Sequence, residues 1–161
     1  MVRVQYYLCG CLAILIGLAL TPASLQAQED GAFVQYRQRV MAANSANMGA
    51  INDILKNKLP YQTHISAHAQ DIQRMSMLIS DAFKKDISAG KTDAKPEIWK
   101  EWNKFTAAAD AMGREAAELA KVSQGGTMEA ISAQAKKLSE TCGDCHKPYR
   151  KPKEESYKNK P

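Results

Sequence analysis

Residues 139–150 read SETCGDCHKPYR, placing Cys142, Cys145 and His146 in Cys-x-x-Cys-His order with only fifteen residues to follow. The run from about Thr127 to this motif has a helical pattern. Three- and four-residue steps on a helix put all three side chains on one face. Pro148 lacks an N–H and would clash with the carbonyl of Asp144 if the helix ran on unbent. The helix is therefore expected either to end at the motif or to kink there.

Three more helical patterns lie upstream. The first, roughly 30–57, carries Phe33, Val40, Met41, Met48, Ile51 and Leu55 at three- and four-residue steps. After Pro60, a second stripe runs through Ile65, His68, Ile72, Met75, Ile79 and Phe83. The loop SAGKTDAK breaks at Gly90, and Pro96 suits the first turn of a third helix burying Ile98, Trp102, Phe105, Met112 and Leu119. SQGG ends that helix, and the fourth starts near Thr127. No segment alternates with the period of a strand. The expected fold class is all-α, an up-down-up-down four-helix bundle whose cofactor motif lies at its C-terminal end.

The chain opens with one positive charge at Arg3, the apolar run LCGCLAILIGLAL and a small-residue stretch ending at Ala27. That is the order of a secretory signal peptide, with an uncleaved anchor as the alternative; Cys11 precedes the apolar core and does not suit a lipoprotein site. Residues 1–27 are read as the leader and 28–161 as one domain, with a periplasmic location expected. Cys9 and Cys11 leave with the leader, so the mature chain keeps only Cys142 and Cys145, which argues against a disulfide-stapled scaffold. The full chain has 22 Lys+Arg against 17 Asp+Glu, net +5, and losing Arg3 leaves +4. Much of the excess lies in the tail KPYRKPKEESYKNKP, which reads as a solvated, frayed terminus or as a docking patch for an acidic redox partner. Nucleic-acid binding is not expected.

Cys-x-x-Cys-His admits three chemistries. A thioredoxin-like redox pair expects a strand before the motif and a helix starting at it, whereas here a helix ends in it. A structural zinc site needs a fourth ligand, which only His64 or His68 could supply. Covalent haem c fits the spacing: each cysteine adds to one vinyl group of a single porphyrin edge, and His146 becomes the proximal iron ligand. No Met or His follows His146, so a sixth ligand must come from upstream.

With YRQRVM (36–41), GKTDAKPEIW (90–99) and CGDCHKPYR (142–150) in that order, the chain resembles the cytochrome c′ family over essentially its whole mature length. The resemblance implies one haem c held by Cys142, Cys145 and His146, with Arg37 and Gln38 contacting the haem and its propionates. It further implies Asp93 beside the haem edge, Arg150 near the proximal imidazole, Trp99 close to the cofactor or in ordinary core, and a homodimer built on the first two helices. Met41 falls where the family covers the open face of the iron. Its sulfur either ligates, giving low-spin iron suited to electron transfer, or only packs there, leaving five-coordinate iron that binds NO or CO. Met48, Met75, Met77 and Met112 are assigned to core, and His64 and His68 to surface or locally satisfied positions. The expected function is a monohaem electron carrier working with a redox partner protein, with an NO- or CO-binding protein as the alternative. Enzymatic turnover is not expected, because peroxide chemistry wants a distal acid–base group where this chain has Met41.

Overall fold

A computed structural model describes residues 22–159, with side chains from residue 25 onward; most of the expected leader lies outside the described residues. Six helices form in chain order: α1 (Pro22–Lys56), α2 (Gln62–Ser76), α3 (Ile79–Phe83), α4 (Glu97–Lys100), α5 (Trp102–Val122) and α6 (Met128–Tyr149). With α3 continuing α2 and α4 leading into α5, these are the four columns of a bundle. Among the described residues no helix is long and apolar enough to cross a membrane.

The second and third expected helices are each interrupted, for local reasons. At the end of α2 the Ser76 hydroxyl donates to the Gln73 carbonyl at 2.8 Å, offering the backbone a side-chain alternative where the helix stops. Gly113 of α5 lies against this turn, and a Cβ there would sit 2.5 Å from Ser76 Oγ. The missing side chain lets α2 and α5 approach closely. Between α4 and α5, Glu101 leaves helical geometry (φ −118°, ψ 40°), and its carboxylate accepts from the Tyr149 hydroxyl of α6 at 3.2 Å. α6 starts where the sequence places it, with Thr127 Oγ1 accepting from the Ala130 N–H at 3.3 Å. Pro148 falls in its last turn, and Arg150 leaves in an extended conformation (φ −117°, ψ 138°).

The core is aliphatic at its centre: Ile51, Ile65, Leu119, Ile131 and Leu138 are fully buried. Leu119 is one of these, and Leu119→Ala should cost about 2–5 kcal/mol, a large part of a small domain's stability; a denaturant midpoint shift at constant slope would measure it. The α1 stripe holds at Val40 and Ile51, with Met41, Met48 and Leu55 packed against the core, and differs from the expected one at its start. Val34 is buried while Phe33 is 40% exposed, with the Lys85 ammonium 4.6 Å from the centre of its ring. Trp102 is only half-buried.

α2 packs on α5, α5 on α6 and α1 on α2, but α1 and α6 scarcely touch. Four-helix closure therefore leaves a gap on one side. The C-terminal tail is not frayed as far as Asn159, contrary to its composition. It makes two 3₁₀ turns, Lys153–Glu155 and Tyr157–Asn159, and Ser156 between them is buried.

Candidate cofactor-binding site

The gap between α1 and α6 is an open cavity of about 680 Å³, within the range of small-molecule and cofactor sites. Seven of the residues assigned to the cofactor from the sequence border it: Arg37, Gln38 and Met41 from α1, Asp93 from the loop before α4, and Cys142, Cys145 and His146 from α6. Arg150 borders it too. Trp99 does not; its indole N–H donates to the Phe83 carbonyl at 2.8 Å. His64 stacks on Tyr61 with ring centres 5.1 Å apart, and His68 Nδ1 bonds to Asn47 Oδ1 at 2.8 Å, so both imidazoles are engaged away from the cavity.

Met112 lies in the core and Met48 packs against it, as expected, but both also border the cavity; Met77, assigned to core as well, is 69% exposed. A stripe facing a void has the same period as a stripe facing a core, so spacing could not separate them. Asn44, Tyr157 and Lys158 were missed as well. For Asn44 the available signal was its place in the strip Arg37–Met41–Asn44–Met48.

The α6 wall carries the reactive groups. Burial pushes both thiols upward, Cys145 to about 11, with Cys142 raised for the same reason. Redox Cys-x-x-Cys pairs work through lowered pKa values and start a helix; this pair has raised values and lies near a helix end. The His146 side chain opens onto the cavity and is exposed by area. Protein atoms crowd it nonetheless, and this desolvation, with the nearby Arg150 charge, holds its imidazolium form below the usual histidine range. It therefore favours the neutral form that binds metals.

Arg37 tests whether these residues suit a haem. It is 3% exposed, with its guanidinium carbon 5.1 Å from the Phe83 ring centre and 5.5 Å from that of Trp99. Nη2 donates to the Ile87 carbonyl at 3.0 Å, while Nε and Nη1 have no protein partner. Burial pushes its pKa down, and the more distant Asp86 and Asp30 only partly oppose this. Buried donors on a charged group are costly to leave unpaired, so this cavity wall calls for an anionic acceptor. A haem propionate supplies one, two thiols and an imidazole share the α6 wall, and the remaining lining is largely apolar. The residues fit the group.

Gln38 instead spends its amide on the Lys91 carbonyl at 2.8 Å. Asp93 is also engaged: Oδ2 accepts from Ser156 Oγ at 2.9 Å and Oδ1 from the Tyr157 N–H at 3.0 Å.

The family model for cytochrome c′ matches residues 32–150. The chain is 34% identical over 134 residues to cytochrome c′ of Rhodospirillum rubrum, covering 82% of this chain and 91% of that protein. It is 27% identical to cytochrome c′ of Alcaligenes xylosoxydans xylosoxydans, with 74% and 94% covered. Among solved structures, a mutant of cytochrome c prime from Alcaligenes xylosoxidans in complex with nitric oxide superposes with a TM-score of 0.68 at 26% identity, covering 77% of this chain and 97% of that one. Cytochrome c prime from Shewanella frigidimarina gives 0.70 at 24% identity, with 76% and 97% covered.

Proposed function

The chain belongs to the cytochrome c′ family, and from that premise we propose that it is an exported monohaem c-type cytochrome that carries single electrons. The observation that carries this reading is the cavity with Cys142, Cys145 and His146 on its α6 wall and Met41 on its α1 wall. Haem c, when bound, supplies a one-electron iron couple whose potential follows its axial ligands and surroundings. The protein's share is to hold and tune it. Cys142 and Cys145 anchor the group, neutral His146 offers a nitrogen to the metal, Arg37 meets a carboxylate, and Met41 covers or ligates the remaining face.

Export and cleavage after Ala27 are part of the proposal. Residues 25–27 are exposed, so among the side chains described, cleavage after Ala27 removes none from the core. The electron would pass to or from a redox partner protein, and no enzymatic turnover is proposed.

A second reading is supported by relatives solved with NO and with CO: a five-coordinate iron whose open face takes a diatomic gas. The axial sulfur separates the two. In the electron-carrier reading, oxidised wild type shows the near-infrared band of methionine-ligated ferric haem, and Met41→Ala replaces it with a high-spin spectrum. Met48→Ala and Met112→Ala leave it in place, which identifies the sulfur among three that border one cavity. A high-spin wild type that binds CO rapidly when reduced would favour the gas-binding reading. A spectrum unchanged by Met41→Ala would remove Met41 as a ligand.

A further inference from the structure

The family match stops at residue 150, but the ordered chain continues to Asn159. This added segment is fastened to the loop before α4. The Lys151 N–H donates to the Asp93 carbonyl at 2.8 Å, and Lys151 Nζ donates to the Thr92 carbonyl at 3.1 Å. Both carboxylate oxygens of Asp93 then take donors from the segment, the Ser156 hydroxyl and the Tyr157 N–H. Ser156 is only 7% exposed. These contacts join residues about sixty positions apart, and they bring Tyr157 and Lys158 to the edge of the cofactor cavity.

The charges bordering that cavity are unbalanced. Besides His146, it is lined by three cations, Arg37, Arg150 and Lys158, and by one acid, Asp93, whose oxygens already hold hydrogen bonds. Haem c carries two carboxylates. Arg37 has unpaired donors for one of them.

We propose that residues 151–159 form a strap that completes the cofactor site: Asp93 fastens it, Tyr157 closes the cavity edge, and Lys158 pairs with a cofactor carboxylate. Asp93 is thus a positioning residue that acts through the strap. The proposal rests on the haem reading above and goes beyond it, because the family match does not reach these residues. A cation paired with a carboxylate cancels negative charge that would otherwise favour ferric over ferrous iron. Lys158 therefore raises the reduction potential.

The test is spectroelectrochemical titration of the haem-loaded wild type, Lys158→Gln, Lys158→Arg and a chain ending at Lys151. Lys158→Gln should shift the reduction equilibrium constant about three- to tenfold toward the oxidised form, where tenfold is about 59 mV for one electron. Lys158→Arg should hold the wild-type value, and the shortened chain should shift the same way as Lys158→Gln. Lys91→Gln is the control, because Lys91 is exposed and its side chain does not border the cavity; it should move the constant by less than twofold. A Lys158→Gln protein with an unaltered haem spectrum and the wild-type potential overturns the proposal, as does an equal shift from Lys91→Gln. A wild-type chain that carries no haem would instead overturn the reading beneath it, so the two failures are distinguishable.

Discussion

Replacing Cys142 and Cys145 together by alanine is expected to give a protein from which acid–organic extraction removes all the haem, and whose folded state is greatly weakened. The first effect is all-or-none, because these are the only cysteines left once the proposed leader is removed and no other side chain can form the thioether. The second follows from the size of the gap. The cavity of about 680 Å³ is open, so without haem it fills with water and its largely apolar lining loses the burial that a bound porphyrin supplies. α1 and α6 scarcely touch, so the bundle has little else to close that side. Circular dichroism before and after extraction should show the variant losing its cooperative thermal transition, or unfolding at least 10 °C below the thioether-linked wild type. Retention of colour through extraction would show a second mode of covalent attachment, contrary to the site described.

Arg37→Leu is the second large effect, and its sign is the informative part. Leucine keeps apolar contact with Phe83 and Trp99 but removes the guanidinium. If Nε and Nη1 donate to a cofactor carboxylate, the haem-loaded variant should lose about 2–4 kcal/mol, because an anion is left without its partner. If those groups had no partner in the loaded protein, the same change would delete an unsatisfied buried charge and raise stability instead. Denaturant unfolding of wild type and variant, both haem-loaded, measures this directly.

The bundle was legible in the sequence because helix amphipathicity is local: the apolar periods, Pro96 and Thr127 announce their elements without reference to the rest of the chain. What escaped depends on distant partners. The end of α2 involves the Ser76 hydroxyl against Gly113, and the break at Glu101 faces Tyr149 across to α6. Phe33 and Val34 are adjacent apolar residues, and periodicity could not choose the inward one; Lys85, fifty-two positions from Phe33, covers the other.

In the site, the α6 residues could be read because one helix turn brings them together. Met48 and Met112 were placed in the core because they pack as core residues do, with a cavity on one side. The tail is solvated, as its lysines suggest, with Lys147, Lys153 and Lys158 exposed, but it is not frayed as far as Asn159. The contact that orders it joins Asp93 to Ser156 and Tyr157, sixty-three and sixty-four positions away. Asp93, placed beside the haem edge by resemblance, borders the cavity, and its carboxylate is held by Ser156 and Tyr157.

Every role proposed for this chain requires a porphyrin bound covalently at Cys142 and Cys145. The most direct measurement is the intact mass, under denaturing conditions, of mature protein made in a host able to attach haem. The expected result is a coloured protein weighing the processed polypeptide plus one haem. A colourless protein at the bare polypeptide mass would contradict it.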